Sequence, residues 1–266
     1  MWPALHVPLL GTTMVPYDLF RHLAEISAVA LGVVVNRRQG IPARVTLGIA
    51  LLCVPVGVWG SRLLDMAEYA SSTPSLDALV ARNGSSIYGG MIGSFLVVAI
   101  VTRFVRVPLL AFLDSAAPAL AVGEAVSRLG CFSAGCCYGI ATAVPWAVRF
   151  PPSSMAYRDQ LTAGLIAPEA TLSLAVHPVQ LYGFVLMMAV AVYLMRQLPR
   201  RTHDGELFFL FLIAYGAYRL AMAPLRAEAL ASMKLLSLAF IAAGVAGLAI
   251  RRRPAVVTRV ATADRP

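Results

Sequence analysis

Charge is scarce in this chain of 266 residues. Asp, Glu, Lys and Arg together make up only 13%, about half the share usual in a soluble globular domain. That shortage, with a 59% hydrophobic fraction and a mean hydropathy of +0.76, excludes an ordinary water-soluble fold. Acidic residues are scarcer than basic ones, 13 against 22, which gives a net charge of +9. Such an excess raises the possibility of nucleic-acid binding. The arginines, however, lie in short loops between apolar runs, the placement of membrane-flanking charge that faces anionic lipid. No nucleic-acid partner is expected. No cleavable signal peptide is expected, because the first residues lack the basic start and small-residue cleavage site that one requires. The first span is therefore expected to target the chain. Cysteines number four, with no C-x-x-C pair and no second Cys/His cluster. That spacing argues against both a four-ligand zinc site and a thioredoxin-like role. No internal repeat or low-complexity tract stands out.

What is present is a series of apolar runs near membrane-spanning length, about 18–20 residues. The expected fold is all-α and polytopic, with about seven transmembrane helices. They fall near residues 19–35, 44–62, 87–105, 108–129, 178–198, 206–224 and 231–250. A mixed stretch, 131–176, separates the fourth from the fifth. Residues 1–253 are read as one transmembrane domain and 254–266 as a disordered cytoplasmic tail.

Alternate loops hold Arg37, Arg38 and Arg44; Arg103 and Arg106; and Arg196, Arg200 and Arg201, and the tail adds Arg251 to Arg253, Arg259 and Arg265. The opposite side carries Asp65, Glu68, Asp77, Asp159 and Glu169. Positive residues stay inside, so the N-terminus is expected outside, the C-terminus in the cytoplasm, and 131–176 on the outer face.

Ionisable groups within or at the ends of spans are costly and suggest function. Arg62, Glu124, Arg128 and Arg219 stand out. Arg128 follows Glu124 by four residues, so both share one helix face and can pair. Arginines converging from different helices suit a phosphate, whose oxygens accept a planar fork of donors. They can equally snorkel, or pair with acids to hold the bundle. His177 opens HPVQLYG and is a candidate base near neutral pH, or else a hydrogen-bonding residue ahead of Pro178. Tyr88, Gly89, Gly90 and Gly93 form YGGMIG, which suits close helix packing or lipid against bare backbone. Cys131, Cys136 and Cys137 lie together in SRLGCFSAGCCYG. Three readings stay open for them: small buried thiols, a disulfide from Cys131 to Cys136 or Cys137, or a reactive or metal-linked group.

The stretches GSRLLDMAEY (60–69), SSIYGGMIG (85–93), SRLGCFSAGCCYG (127–139), HPVQLYG (177–183) and YGAYRLAMAPLR (215–226), in this order, resemble the prolipoprotein diacylglyceryl transferase family of bacterial inner membranes. The resemblance implies transfer of a diacylglyceryl group from phosphatidylglycerol to the lipobox cysteine of a preprolipoprotein, with release of glycerol phosphate. It implies membrane lipid as surroundings and no metal or organic cofactor. Arg128 matches the arginine of the family's Arg-x-Gly-Asn signature, and Arg219 the second essential arginine. Gly130, Gly135 and Gly139 keep the signature's glycines; Arg62, His177, Gln180, Tyr182 and Arg226 keep the flanking motifs.

Departures mark the polar surroundings. The family's His-Gly-Gly is Tyr88-Gly89-Gly90 here. Its asparagine and glutamate are Cys131 and Cys136, and the Glu after Gln-Leu-Tyr is Gly183. Arg128, Arg219, His177 and Tyr88 are accordingly expected as catalytic residues. Arg62, Gly89, Gly90, Gly130, Cys131, Gly135, Cys136, Gly139, Gln180, Tyr182 and Arg226 are expected to bind substrate. The alternatives are a paralogue that binds an anionic phospholipid with another acceptor or no catalysis, and a cysteine-based redox or metal protein.

Overall fold

The computed structural model describes residues 5–7, 12–14, 16–68, 87–227 and 231–251. Asp77 and the segment 254–266 lie outside the described residues, as do the side chains of Asp65, Glu68 and Tyr88. The architecture is helical: α1 (Pro16–Arg38), α2 (Ala43–Glu68), α3 (Ile87–Phe104), α4 (Leu109–Ala134), the short α5 (Met155–Thr162), α6 (Val179–Gln197), α7 (Glu206–Met222) and α8 (Ala231–Arg251). Helical turns of the tighter 3-10 type follow α6 (Leu198–Arg200) and α7 (Ala223–Leu225). The helical class is as expected, with one short addition. Strands β1 (Leu5–Val7) and β2 (Thr12–Met14) pair antiparallel, Leu5 opposite Met14, too short a pairing for periodicity to reveal.

Local chemistry sets the ends. Pro16 starts α1 at the one helical position where a missing N–H costs nothing. Gly40, with φ of 81°, turns the chain into Pro42 and α2. The Ser154 side chain caps α5 by accepting from the Tyr157 amide at 3.1 Å. At α7, Gly205 adopts φ of 96° and the Glu206 carboxylate reaches back to the Thr202 amide at 2.7 Å.

Five helices are long and apolar enough to cross a membrane: α2, α4, α6 with its following turn, α7 with its following turn, and α8; α3 contributes a shorter apolar helix. Their outward faces carry the apolar side chains. Leu51 is 75% exposed, Phe104 82% and Ile250 76%, while Asn36, Asp114, Ser115 and Gln180 are buried. Polar groups inside and apolar groups outside mark a multi-pass membrane protein, whose solvent is hydrocarbon.

The chain forms two compact units. The one built from residues 32–115 packs α2 on α3 through glycine. A Cβ at Gly60 would lie 2.5 Å from the Gly89 carbonyl oxygen, and one at Gly93 would lie 3.0 Å from that of Val56. Helices in lipid gain by close backbone approach, because burial of apolar surface drives little there. The buried Asn36 amide donates to the Thr46 hydroxyl at 3.0 Å, and its oxygen accepts from Ser115. Gly60→Val is expected to push α3 away and cost about 1–3 kcal/mol, read as a lowered unfolding midpoint in detergent.

The other unit comprises residues 1–31 and 116–257. Here α7 packs on α8 through Gly216 and Gly244, where a Cβ would lie 2.6 Å from the Ser237 and Phe209 carbonyl oxygens respectively. Gly130 of α4 faces Phe20 and Tyr17 of α1 in the same way. Beyond α4 the chain builds a small platform by backbone pairing. Val148 bridges Val176, Ala141 bridges Val176, and Gly139 bridges Arg226. Phe150, Ala156 and Val176 form its buried centre, with Phe132, Tyr138 and Val148 packed around them.

Candidate active site

Arg128 sits on α4, buried to 8% exposure. Its Nε donates to Glu124 Oε1 at 3.0 Å, and a second guanidinium nitrogen donates to the same oxygen. The four-residue spacing produced this pair, as the sequence suggested. The guanidinium also lies 6.0 Å from the centroid of the Tyr218 ring on α7, within cation–π range. Tyr218 is itself buried against Ala125 and Met187, with Phe184, Met188 and Tyr215 beside it.

Arg219 follows Tyr218 on the same helix. It donates to the Met233 sulfur of α8 at 2.7 Å, a weak acceptor that carries no charge of its own. Arg226 lies just past the 3-10 turn, and its buried Nε has no hydrogen-bond partner among the described residues. Tyr218 lies within electrostatic reach of Arg128, Arg219 and Arg226. Three cations from α4, α7 and the segment after α7 are thus gathered around one tyrosine. Sequence reading missed Tyr218, although it is the residue before Arg219.

The segment 135–139 joins this group to the platform. Gly135, φ +64°, ends α4, and a Cβ there would lie 2.7 Å from that of Ser154. Gly139 has less room still: a Cβ would lie 2.6 Å from the His177 Cβ and carbonyl oxygen and 2.8 Å from the Leu225 carbonyl oxygen. Its amide donates to the His177 carbonyl at 3.1 Å, while the His177 amide donates to the Ile140 carbonyl at 3.1 Å and the Ile140 amide to that of Leu225 at 2.9 Å. Gly139, His177 and Arg226 are therefore fixed together by main chain. Gln180, 1% exposed, donates from Nε2 to the Cys136 carbonyl at 2.8 Å, and its buried Oε1 has no partner among the described residues. Orphaned buried groups are rare in native proteins. Here an acceptor on Gln180 and a donor on Arg226 flank one five-residue segment.

His177 Nδ1 lies 3.3 Å from the Tyr182 hydroxyl, which accepts from Trp146 Nε1 at 2.6 Å. An indole only donates, so one lone pair of the Tyr182 oxygen is committed. Trp146 carried no signal in the sequence, because the contact spans 36 positions.

All four cysteines are free thiols. The sulfurs of Cys131, Cys136 and Cys137 lie within 4.8 Å of one another. Cys136 Sγ also lies 3.6 Å from the Cys131 carbonyl oxygen. The Cys137 thiol is held well below the usual range because it accepts hydrogen bonds from Cys131 and Cys136, and Arg226 and Arg128 add attraction. Cys136, on the donating side, is pushed up. Among the described residues, the trio is the cluster whose ligand atoms lie close enough to share a metal ion.

Arg62, Gly89 and Gly90 belong to the compact unit built from residues 32–115. Arg62 lies half-buried on α2, and Gly90 faces the Gly57 carbonyl oxygen in the α2–α3 contact. The Tyr88 backbone lies in the first turn of α3; its side chain is outside the described residues. Arg128, Gly130, Cys131, Gly135, Cys136, Gly139, His177, Gln180, Tyr182, Arg219 and Arg226 all belong to the unit of residues 1–31 and 116–257.

A family model described as prolipoprotein diacylglyceryl transferase matches residues 6–250. The phosphatidylglycerol–prolipoprotein diacylglyceryl transferase of Clostridium tetani is 27% identical over 233 residues, which cover 86% of this chain and 87% of that one. The enzyme of the same name from Finegoldia magna is 25% identical over 248 residues, 89% and 91% of the two chains. That of Dehalococcoides mccartyi is 28% identical over 197 residues, 72% and 69%.

Proposed function

We propose, because the chain belongs to the prolipoprotein diacylglyceryl transferase family, that it moves a diacylglyceryl group from phosphatidylglycerol to the lipobox cysteine thiol of a preprolipoprotein. The thiolate sulfur forms a bond to the glycerol carbon, the C–O bond to phosphate breaks, and glycerol phosphate leaves with the electron pair. The observation that carries this reading is the gathering of Arg128, Arg219 and Arg226 around Tyr218. The leaving phosphate gains charge as the bond breaks, and fixed cations in a low-dielectric site favour that state most. The unpartnered Nε of Arg226 is a donor held ready for such an oxygen. Gln180 Oε1 is suited to accept from a glycerol hydroxyl.

The thiol proton must go to a base. His177 serves in the tautomer whose Nδ1–H donates to Tyr182, the contact at 3.3 Å. The second lone pair of the Tyr182 oxygen accepts it, leaving Nε2 unprotonated. The partner of one ring nitrogen thereby decides what the other can do. Tyr182→Phe removes that hold and is expected to lower kcat about tenfold, with KM for phosphatidylglycerol little changed. A loss confined to KM would assign Tyr182 to lipid binding instead. Gly130, Cys131, Gly135, Cys136 and Gly139 complete the proposed site, the glycines by admitting lipid and backbone close together; for Arg62, Tyr88, Gly89 and Gly90, in the unit of residues 32–115, a part in the reaction rests on the family resemblance alone.

The same reading places the chain in the bacterial inner membrane as a single seven-span domain. Its N-terminus is outside and its C-terminus is cytoplasmic, and the 131–176 platform faces outward, from the distribution of arginines between loops. Complementation of a strain depleted of its own transferase tests the function. The wild type should restore growth and lipidated lipoprotein, and Arg219→Ala should not. A wild type present in the membrane at normal level that restores neither would overturn the reading.

A further inference from the structure

We propose that Cys131, Cys136 and Cys137 form a three-thiolate site for a soft monovalent metal ion, Cu(I). Cys131 and Cys136 also stand in the proposed substrate site, but ion binding does not require the transfer reaction. The fold works against sequence spacing. In a continuous helix each residue turns about 100°, so residues five and six after Cys131 would point to other faces of α4. The helix instead ends at Ala134. Gly135 at φ +64° and Cys137 at φ +53° then turn the chain back, and all three sulfurs come within 4.8 Å of one another.

Cys137 is a non-glycine residue in the left-handed region, where a side chain is disfavoured. Its neighbour Gly135 admits no side chain, since a Cβ there would meet Ser154 and Phe150. The arrangement is therefore held from outside the trio, by platform residues. Each cysteine is half-buried rather than sealed, so an ion has a way in.

Ligand chemistry selects the metal. A planar three-sulfur site with metal–sulfur bonds of about 2.3 Å has sulfur–sulfur edges of about 4 Å, so closure asks for movements of under about 1 Å. Zinc prefers four ligands in a tetrahedron, and among the described residues the cluster comprises three thiols with no histidine or carboxylate. Soft thiolates favour Cu(I). Three thiolates around Cu(I) carry a net double negative charge, and Arg128 and Arg226 both lie within electrostatic reach of Cys137. On binding, Cu–S bonds replace the S–H bonds, the protons leave to solvent, and no electron is transferred.

The test uses the full chain purified in detergent, reduced under nitrogen and titrated with Cu(I) supplied as its acetonitrile complex against a chromophoric chelator. The expected result is one copper per chain, a sulfur-to-copper absorption band in the near ultraviolet, and three sulfur neighbours by X-ray absorption. Cys131→Ser and Cys137→Ser should each weaken binding at least 100-fold, and Cys53→Ser should not. Cys137→Asn, which tolerates left-handed backbone, is the second variant should Cys137→Ser misfold. No copper withheld from the chelator, or equal binding by a folded Cys137 variant, would overturn the site. So would a disulfide within the trio that survives reductant.

Discussion

Arg128→Ala is expected to lower transfer to an acceptor peptide by about 100- to 1,000-fold, the usual effect of losing one preorganised donor to a developing anion. Arg128→Lys should recover little, because an ammonium cannot replace a planar fork that already spans a Glu124 oxygen and the Tyr218 ring. The loss is expected mainly in kcat, since the charge it meets develops as the C–O bond breaks. Glycerol phosphate release by purified protein is the measurement, with detergent-solubilised yield as the check on folding. Removing the guanidinium also strips Glu124 of its partner, so Glu124→Gln in the same background separates the two effects. An Arg128→Ala protein of normal yield and near-normal rate would remove Arg128 from the reaction.

Gly139→Ala is expected to be as damaging by a different route. The added methyl would have to fit 2.6 Å from both the His177 Cβ and its carbonyl oxygen and 2.8 Å from the Leu225 carbonyl oxygen. Two of these three obstacles are main chain, which cannot move aside by changing rotamer. The cost should reach or exceed the about 1–3 kcal/mol typical of overpacking. Separation of the 139, 177 and 226 segments would displace His177 and Arg226 together. Activity is therefore expected to fall at least 100-fold, and the unfolding midpoint to fall with it. Gly164→Ala is the natural comparison, since nothing lies within 4 Å of the Gly164 Cβ position. Equal behaviour of the two variants would mean that left-handed backbone strain at Gly164 rivals the crowding at Gly139.

The helices were legible because lipid imposes a strong and simple rule. An apolar run long enough to span must be helical, since hydrocarbon offers no partner for backbone groups. The expected segment 178–198 is observed as Val179–Gln197, and 206–224 as Glu206–Met222. The Glu124–Arg128 pair was legible because helical spacing is fixed. The pairing of Leu5–Val7 with Thr12–Met14 was not, since three-residue strands carry no usable period. Nor were the pairings of Gly139 with Arg226 and of Gln180 with the Cys136 carbonyl, which join residues 87 and 44 positions apart. Long-range main-chain pairing depends on the fold rather than on the composition of either segment. The cysteine spacing argued against a zinc site, but it could not show that α4 would end at Ala134 and bring three sulfurs together.

Gly183 is the point where the family resemblance places a glutamate and this chain has no side chain. The Tyr218 hydroxyl occupies the space that a Cβ at Gly183 would need, and its ring is the one that faces Arg128. The two positions are therefore coupled: a side chain restored at 183 has to displace the Tyr218 ring, and with it the face that Arg128 meets.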